Sequence, residues 1–164
     1  MALPQGDPAL LDSDIARRLL ASTIPARLAY TAHDGQPRVV PIWFHWTGQE
    51  LVMVSLAGAA KVGALRKHPD VAVTIDTEGF PADVVLLRGR VEVTDVEGIV
   101  PEYAQAARRY LGEEAARAFL AQLDTPDTRM HRIALSPSWV GVLDFKTRLP
   151  RVLGGIQDDL ARGI

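Results

Sequence analysis

The sequence predicts a mainly β fold, an antiparallel barrel of about seven strands interrupted by three or four short helices. Three observations lead there. Two strand–turn–strand steps follow one another, with Asp34-Gly35 and Thr47-Gly48 at the turns. Helical segments fall between antiparallel strands instead of alternating with parallel ones. A chain of 164 residues, 48% apolar and 23% charged, has the size and proportions of one folded domain. No repeat or linker divides it, so residues 1–164 are expected to form a single unit.

Residues 1–12 contain Pro4, Gly6 and Pro8 with little periodicity and read as a flexible arm. The barrel with its helical insertions is expected over residues 13–145. Asp12 or Ser13 can cap a short helix with Ile15, Leu19 and Leu20 on one face, ending before Pro25. Strands are expected over residues 27–31, 38–46 and 50–55. A glycine-containing turn then enters a helix that begins at Lys61 and stops at Pro69. Strands resume over 71–76 and 84–94, the second passing from apolar on both faces to strict alternation. Two helices, 101–110 and 113–123, break at Leu111-Gly112. The last strands are expected over 131–135 and 139–144, with a tail over residues 150–164.

Composition excludes several chemistries. With no cysteine there is no disulfide, thiolate nucleophile or cysteine metal site. A net charge of −2 offers no global attraction for a polyanion, and no basic stripe appears. No apolar run approaches the roughly 18 residues of a spanning helix. The first residues lack a secretion signal, so the expected address is cytoplasmic.

Two segments carry candidate chemistry. In Pro37 to Trp46, alternation puts Arg38, Val40, Ile42, Phe44 and Trp46 on one face and Val39, Pro41, Trp43 and His45 on the other. One face can fill the barrel, and the second needs a cover: a helix, a partner subunit or a flat ligand. Pro41 cannot donate to a ladder and marks an edge or bulge. In the second segment, the Ser55 hydroxyl, backbone N–H groups near Gly58, a helix start and the Lys61 ammonium converge, as a phosphate or carboxylate requires. The alternative is a solvated helix start with incidental basic residues. It lacks the Lys-Ser/Thr ending of a P-loop. His33, His45, His68 and His131 show no metal-ligand spacing, and no Gly-x-Ser-x-Gly elbow is present. Tyr103, Tyr110 and Phe119 recur at helical spacing, as core residues do.

The order Pro41-Ile42-Trp43-Phe44, Ser55 to Lys61, Leu65 to Val71 and Leu87-Arg88-Gly89-Arg90-Val91 resembles the pyridoxamine 5'-phosphate oxidase-like split β-barrel superfamily. Within it, the pattern looks like the flavin- and deazaflavin-dependent oxidoreductase branch common in actinobacteria. The resemblance spans residues 27–145. It implies an FMN-binding split barrel of six or seven strands and a homodimer with two cofactor sites at its interface. Ser55 and Lys61 would hold the cofactor phosphate, with Arg66 nearby. Arg38, Val39, Pro41 and Trp43 would line the isoalloxazine or deazaflavin ring, and Trp139 would approach from the other subunit. The implied activity is hydride transfer to a small conjugated acceptor with coenzyme F(420), slightly preferred, or FMN. The alternatives are a non-catalytic flavin, haem or planar-ligand binder and a structural dimer whose site has decayed. Gly63-Ala64 stand where many relatives place arginine and asparagine. The substrate-phosphate arginine and histidine of the true oxidase are not recognisable, which argues against vitamin B6 oxidation.

Overall fold

The computed structural model describes residues 2–153 and 155, so most of the expected tail lies outside the described residues. The strands are β1 (Ala26–Thr31), β2 (Pro37–Ile42), β3 (Phe44–Trp46), β4 (Leu51–Leu56), β5 (Asp70–Asp76), β6 (Val84–Glu97) and β7 (Arg129–Leu143). They form one antiparallel sheet in the order β2-β1-β5-β6-β7-β4-β3. The edge strands β2 and β3 are separated in the chain by Trp43 alone. Laid flat, seven strands would set those edges about 29 Å apart, at ~4.8 Å per step. One intervening residue bridges only about 7 Å. The sheet therefore rolls into a barrel, as the sequence predicts.

The count of seven strands is reached differently from the sequence reading. The single strand expected over residues 38–46 breaks at Trp43 into β2 and β3. The two strands expected at 131–135 and 139–144 are one continuous β7. Pro137 is tolerated within β7 because a register shift occurs there: Arg88 pairs with Trp139, but Gly89 pairs with Pro137, which leaves Ser138 as the extra residue of a bulge.

Helices α1 (Asp14–Leu20), α2 (Ala60–Lys67), α3 (Pro101–Leu111) and α4 (Glu113–Leu123) occupy the expected places. Ser13 caps α1, its hydroxyl accepting from the Ala16 N–H. Leu65 of α2 is fully buried with Leu28, Phe44, Met53, Leu87 and Ile133 in the barrel core. No described helix is long and apolar enough to cross a membrane.

The amino-terminal segment is not the free arm that its composition suggests. Beyond Leu135, β7 has no β4 partner, and residues 5–6 fill that edge. Gln5 Nε2 donates to the Val142 carbonyl at 2.5 Å, and the Val142 N–H donates back to Gln5 Oε1 at 2.8 Å. The Gly6 N–H donates to the Val140 carbonyl at 2.8 Å, and Leu10 is buried in the core. The segment thus satisfies backbone groups that an open strand edge would expose.

A Cβ at Gly89 would run into the Ser136 carbonyl oxygen opposite the bulge. Gly89→Ala is expected to cost on the order of 1–3 kcal/mol, read as a lower denaturation midpoint in chemical unfolding.

Candidate functional site

β4 ends at Leu56, and a turn through Gly58, at φ 83°, leads into α2. Positive φ makes glycine the natural residue there. No side chain caps the first turn of α2. Lys61, its second residue, is half-buried and makes no ion pair with any described residue. Ser55, on the inward face of β4, is only 4% exposed. Its hydroxyl makes no hydrogen bond to a described residue, and its oxygen is not sealed from solvent as the unpartnered His45 Nδ1 and Arg148 Nη1 are. One turn thus joins a hydroxyl, a helix start that no side chain caps and an ammonium without an ion pair among the described residues, and that donor set suits an anion.

Register places Ser55 opposite His131 on β7, and His131 opposite Asp95 on β6. The three residues form a row across adjacent strands at one end of the barrel. Asp95 Oδ1 accepts from His131 Nδ1 at 2.6 Å and from Arg66 Nη2 of α2 at 2.6 Å. The Arg66 contact, followed by that of His131, holds the Asp95 carboxyl below its ordinary range. Arg66, in the last turn of α2, is thus engaged by a carboxylate. The Asp95–His131 pairing was missed because only strand register brings together residues so far apart in the chain.

β2 bears out the alternation. Val40, Ile42 and, beyond the break, Phe44 and Trp46 pack on the core. On the outer face, Val39 is 65% exposed and Pro41 is exposed too. Trp43 departs from the expected ring-lining set. Its indole stacks on Tyr110 at 4.9 Å with 5° between planes, and Tyr103 and Phe119 close around it. Helices α3 and α4 thus cover Trp43 and leave Val39 and Pro41 open.

Arg38 is exposed and donates to Asp34 Oδ2 in the β1–β2 turn at 2.8 Å. That turn lies against α2, for a Cβ on Gly63 would stand 2.8 Å from His33 Nε2. Gly63 is thus a space left for the His33 ring, and the turn carrying Arg38 is brought beside the Lys61 helix.

Trp139 lies on the outer face of β7 with the Arg88 guanidinium 4.0 Å over its ring. It shares one cross-strand row with Val39 through Ala29, Ala72 and Arg88. Four strand steps put Val39 and Trp139 about 19 Å apart along the sheet. Within one chain they do not meet at a single ring. Between them lies a trough of about 620 Å³ whose lining includes Ala29, Ala72, Arg88 and Ser138.

The family described as pyridoxamine 5'-phosphate oxidase matches residues 14–143. The chain belongs to that family. Among solved structures, an F(420) reductase is 25% identical at TM-score 0.58, over 75% of this chain and 93% of that one. A conserved hypothetical protein from Mycobacterium tuberculosis is 18% identical at TM-score 0.65, over 88% of this chain and 91% of that one. A heme binding protein from Mycobacterium smegmatis is 22% identical at TM-score 0.56, over 84% of this chain and 55% of that one. No curated protein matches the chain. The mainly β barrel with helical insertions is the fold of this family.

Trp43→Ala is expected to destabilise the protein by about 3 kcal/mol in chemical denaturation, the loss typical of a packed aromatic. A variant of unchanged stability would show that the indole is not the helix anchor that its stacking implies. At Gly63 only the tip of the His33 side chain must move. Gly63→Ala is therefore expected to raise the melting temperature slightly, since alanine gains up to about 1 kcal/mol over glycine inside a helix.

Proposed function

We propose that this protein is a homodimeric oxidoreductase that binds coenzyme F(420) or FMN and passes a hydride to a small conjugated organic acceptor. The observation that carries the reading is the Ser55–Lys61 turn, which offers an anion a hydroxyl, an ammonium without an ion-pair partner among the described residues and a helix start that no side chain caps. Ser55 and Lys61 would hold the cofactor phosphate. Val39 and Pro41 on the open face of β2 would support one side of the ring, and Arg38 and Arg66 would flank it. A flavin-type ring supplies the redox chemistry when bound, while the chain binds, orients and shields it from water.

The spacing of the outer face supports a second subunit. Trp139 is about four strands from Val39 in its own chain, so it can close over the same ring only from a partner. The alanine floor of the trough would let a partner approach closely. Coenzyme F(420) is slightly preferred: the F(420) reductase matches along nearly its whole length, and Lys67 is a basic group available to its carboxylate tail. FMN needs only the phosphate turn. A second reading, a non-catalytic binder of a planar ligand such as haem, is favoured by the open apolar Val39–Pro41 face and by the fold shared with the heme binding protein.

Thermal unfolding and visible absorbance, titrated in parallel with FMN and coenzyme F(420), test the reading. A ligand at 100 times its Kd is expected to add about 2.7 kcal/mol of stability. A rise with neither cofactor would remove the oxidoreductase reading, and tight haem retention would favour the second. Lys61→Ala is expected to weaken the successful cofactor by about tenfold or more, the weight of a charge-assisted hydrogen bond. Equal affinity would place the phosphate elsewhere.

A further inference from the structure

The row Ser55–His131–Asp95 holds two polar atoms without partners among the described residues. Asp95 is an ionised acceptor, so its bond fixes the His131 proton on Nδ1. Nε2 is then the ring nitrogen left open to a further partner. It makes no hydrogen bond to a described residue, and His131 keeps 18% of its side chain in contact with solvent. Ser55 stands directly opposite, Cβ to Cβ about 5 Å away for a cross-strand pair. Its hydroxyl is likewise without a partner. Ser55 lies at the end of β4 that leads, five residues on, into the start of α2 at Ala60.

We infer that His131 is a further contact of the anion bound at this turn, and that it takes up a proton from solvent at Nε2 when the anion binds. Asp95 is the positioning residue: it fixes the ring and its carboxylate balances the imidazolium. The groups facing the ring are Asp95 from β6, Arg66 from α2, through Asp95, and the uncharged Ser55 from β4. A phosphate anion added to this set gives the protonated ring a second acceptor at Nε2. Binding and proton uptake are therefore linked. Affinity for the anion is highest while the ring is protonated and falls as pH rises through the range where imidazoles titrate, about pH 5 to 8.

The inference rests on the Ser55–Lys61 turn being the cofactor's anion cradle, and the test separates the two. FMN, coenzyme F(420) and riboflavin, which lacks the phosphate, are titrated by fluorescence from pH 5.5 to 8.5 into wild type, His131→Gln, Asp95→Asn and Lys61→Ala. A phosphate monoester has its own second ionisation near pH 6, so the quantity read is the difference between wild type and His131→Gln. The expected result is an advantage of about tenfold for wild type at the acid end that vanishes at pH 8.5, for the phosphorylated ligands alone. Asp95→Asn is expected to flatten the profile in the same way. Wild-type and His131→Gln curves that stay parallel overturn the inference. If Lys61→Ala still weakens binding, the cradle stands without His131. If Lys61→Ala changes nothing, the cradle reading falls and this inference with it. The imidazole titration of His131, followed by NMR with and without inorganic phosphate, repeats the test without cofactor. An upward shift on adding phosphate supports the proposal, and an unmoved titration overturns it.

Discussion

Closure of the barrel at Trp43 is the constraint on which the rest of the structure depends. β2 and β3 are the two ends of one sheet and also neighbours in the chain, so the seam between them cannot open without undoing the barrel. At that seam the backbone leaves strand geometry for one residue. Helix α3 makes good the loss. Tyr110 stacks on the indole, its hydroxyl donates to the Ile24 carbonyl at 3.2 Å, and Arg109 donates to the carbonyls of Ser22 and Phe44. The helix pair is thus tied to the seam from both sides. Stacked aromatic pairs contribute about 0.5–1.5 kcal/mol beyond the area they bury, which makes the α3–α4 insertion part of the closure.

With the barrel closed, a second device decides which residues share a face. Trp139 and His131 lie eight positions apart on β7, and simple alternation would put both on one side of the sheet. The bulge at Pro137 and Ser138 reverses the parity. Before it, Ile133 and Leu135 point inward with His131; after it, Val140 and Val142 point inward and Trp139 points out. One extra residue therefore delivers His131 to the inner row beside Ser55 and Trp139 to the outer row that a partner could cover. A one-residue slip elsewhere in the pairing would exchange those assignments. Gly89 is what lets β6 stay close to the bulged strand, since any side chain there meets backbone.

Much of this was legible in the sequence, and the legible parts are local. The turns at Gly35 and Gly48, the stop at Pro69 and the alternation from Arg38 to Trp46 follow from neighbours along the chain. The face assignments in that last segment hold on both sides of the break. The break itself was not legible, because Trp43 leaves the strand to pack on helical residues sixty or more positions away. Nor was the docking of Gln5, which substitutes for a missing strand 137 positions on. Proline and glycine near the start describe a chain that forms no regular element, and they do not say whether it lies against something. Ser55 and Lys61 could be singled out as candidates because a turn joins them. Asp95 and His131 were not, because their partnership exists only in the β6–β7 register.

Charge around the turn bears on which cofactor the site can favour. Four basic residues, Arg38, Lys61, Arg66 and Lys67, would suit an acidic tail if all were free. Two are engaged: Arg38 with Asp34 at 2.8 Å and Arg66 with Asp95 at 2.6 Å. Both pairs are largely exposed, and such pairs contribute about 0–1 kcal/mol each. A ligand carboxylate replacing Asp34 or Asp95 would exchange one weak pair for another, with little net gain. Lys61 offers more, because its ammonium gives up no protein partner when an anion arrives. On the proposed reading, the Ser55–Lys61 turn therefore carries most of the affinity for either cofactor. Discrimination between them then rests on whether a longer tail reaches Lys67 and on the groove a partner subunit would supply, rather than on the number of positive charges.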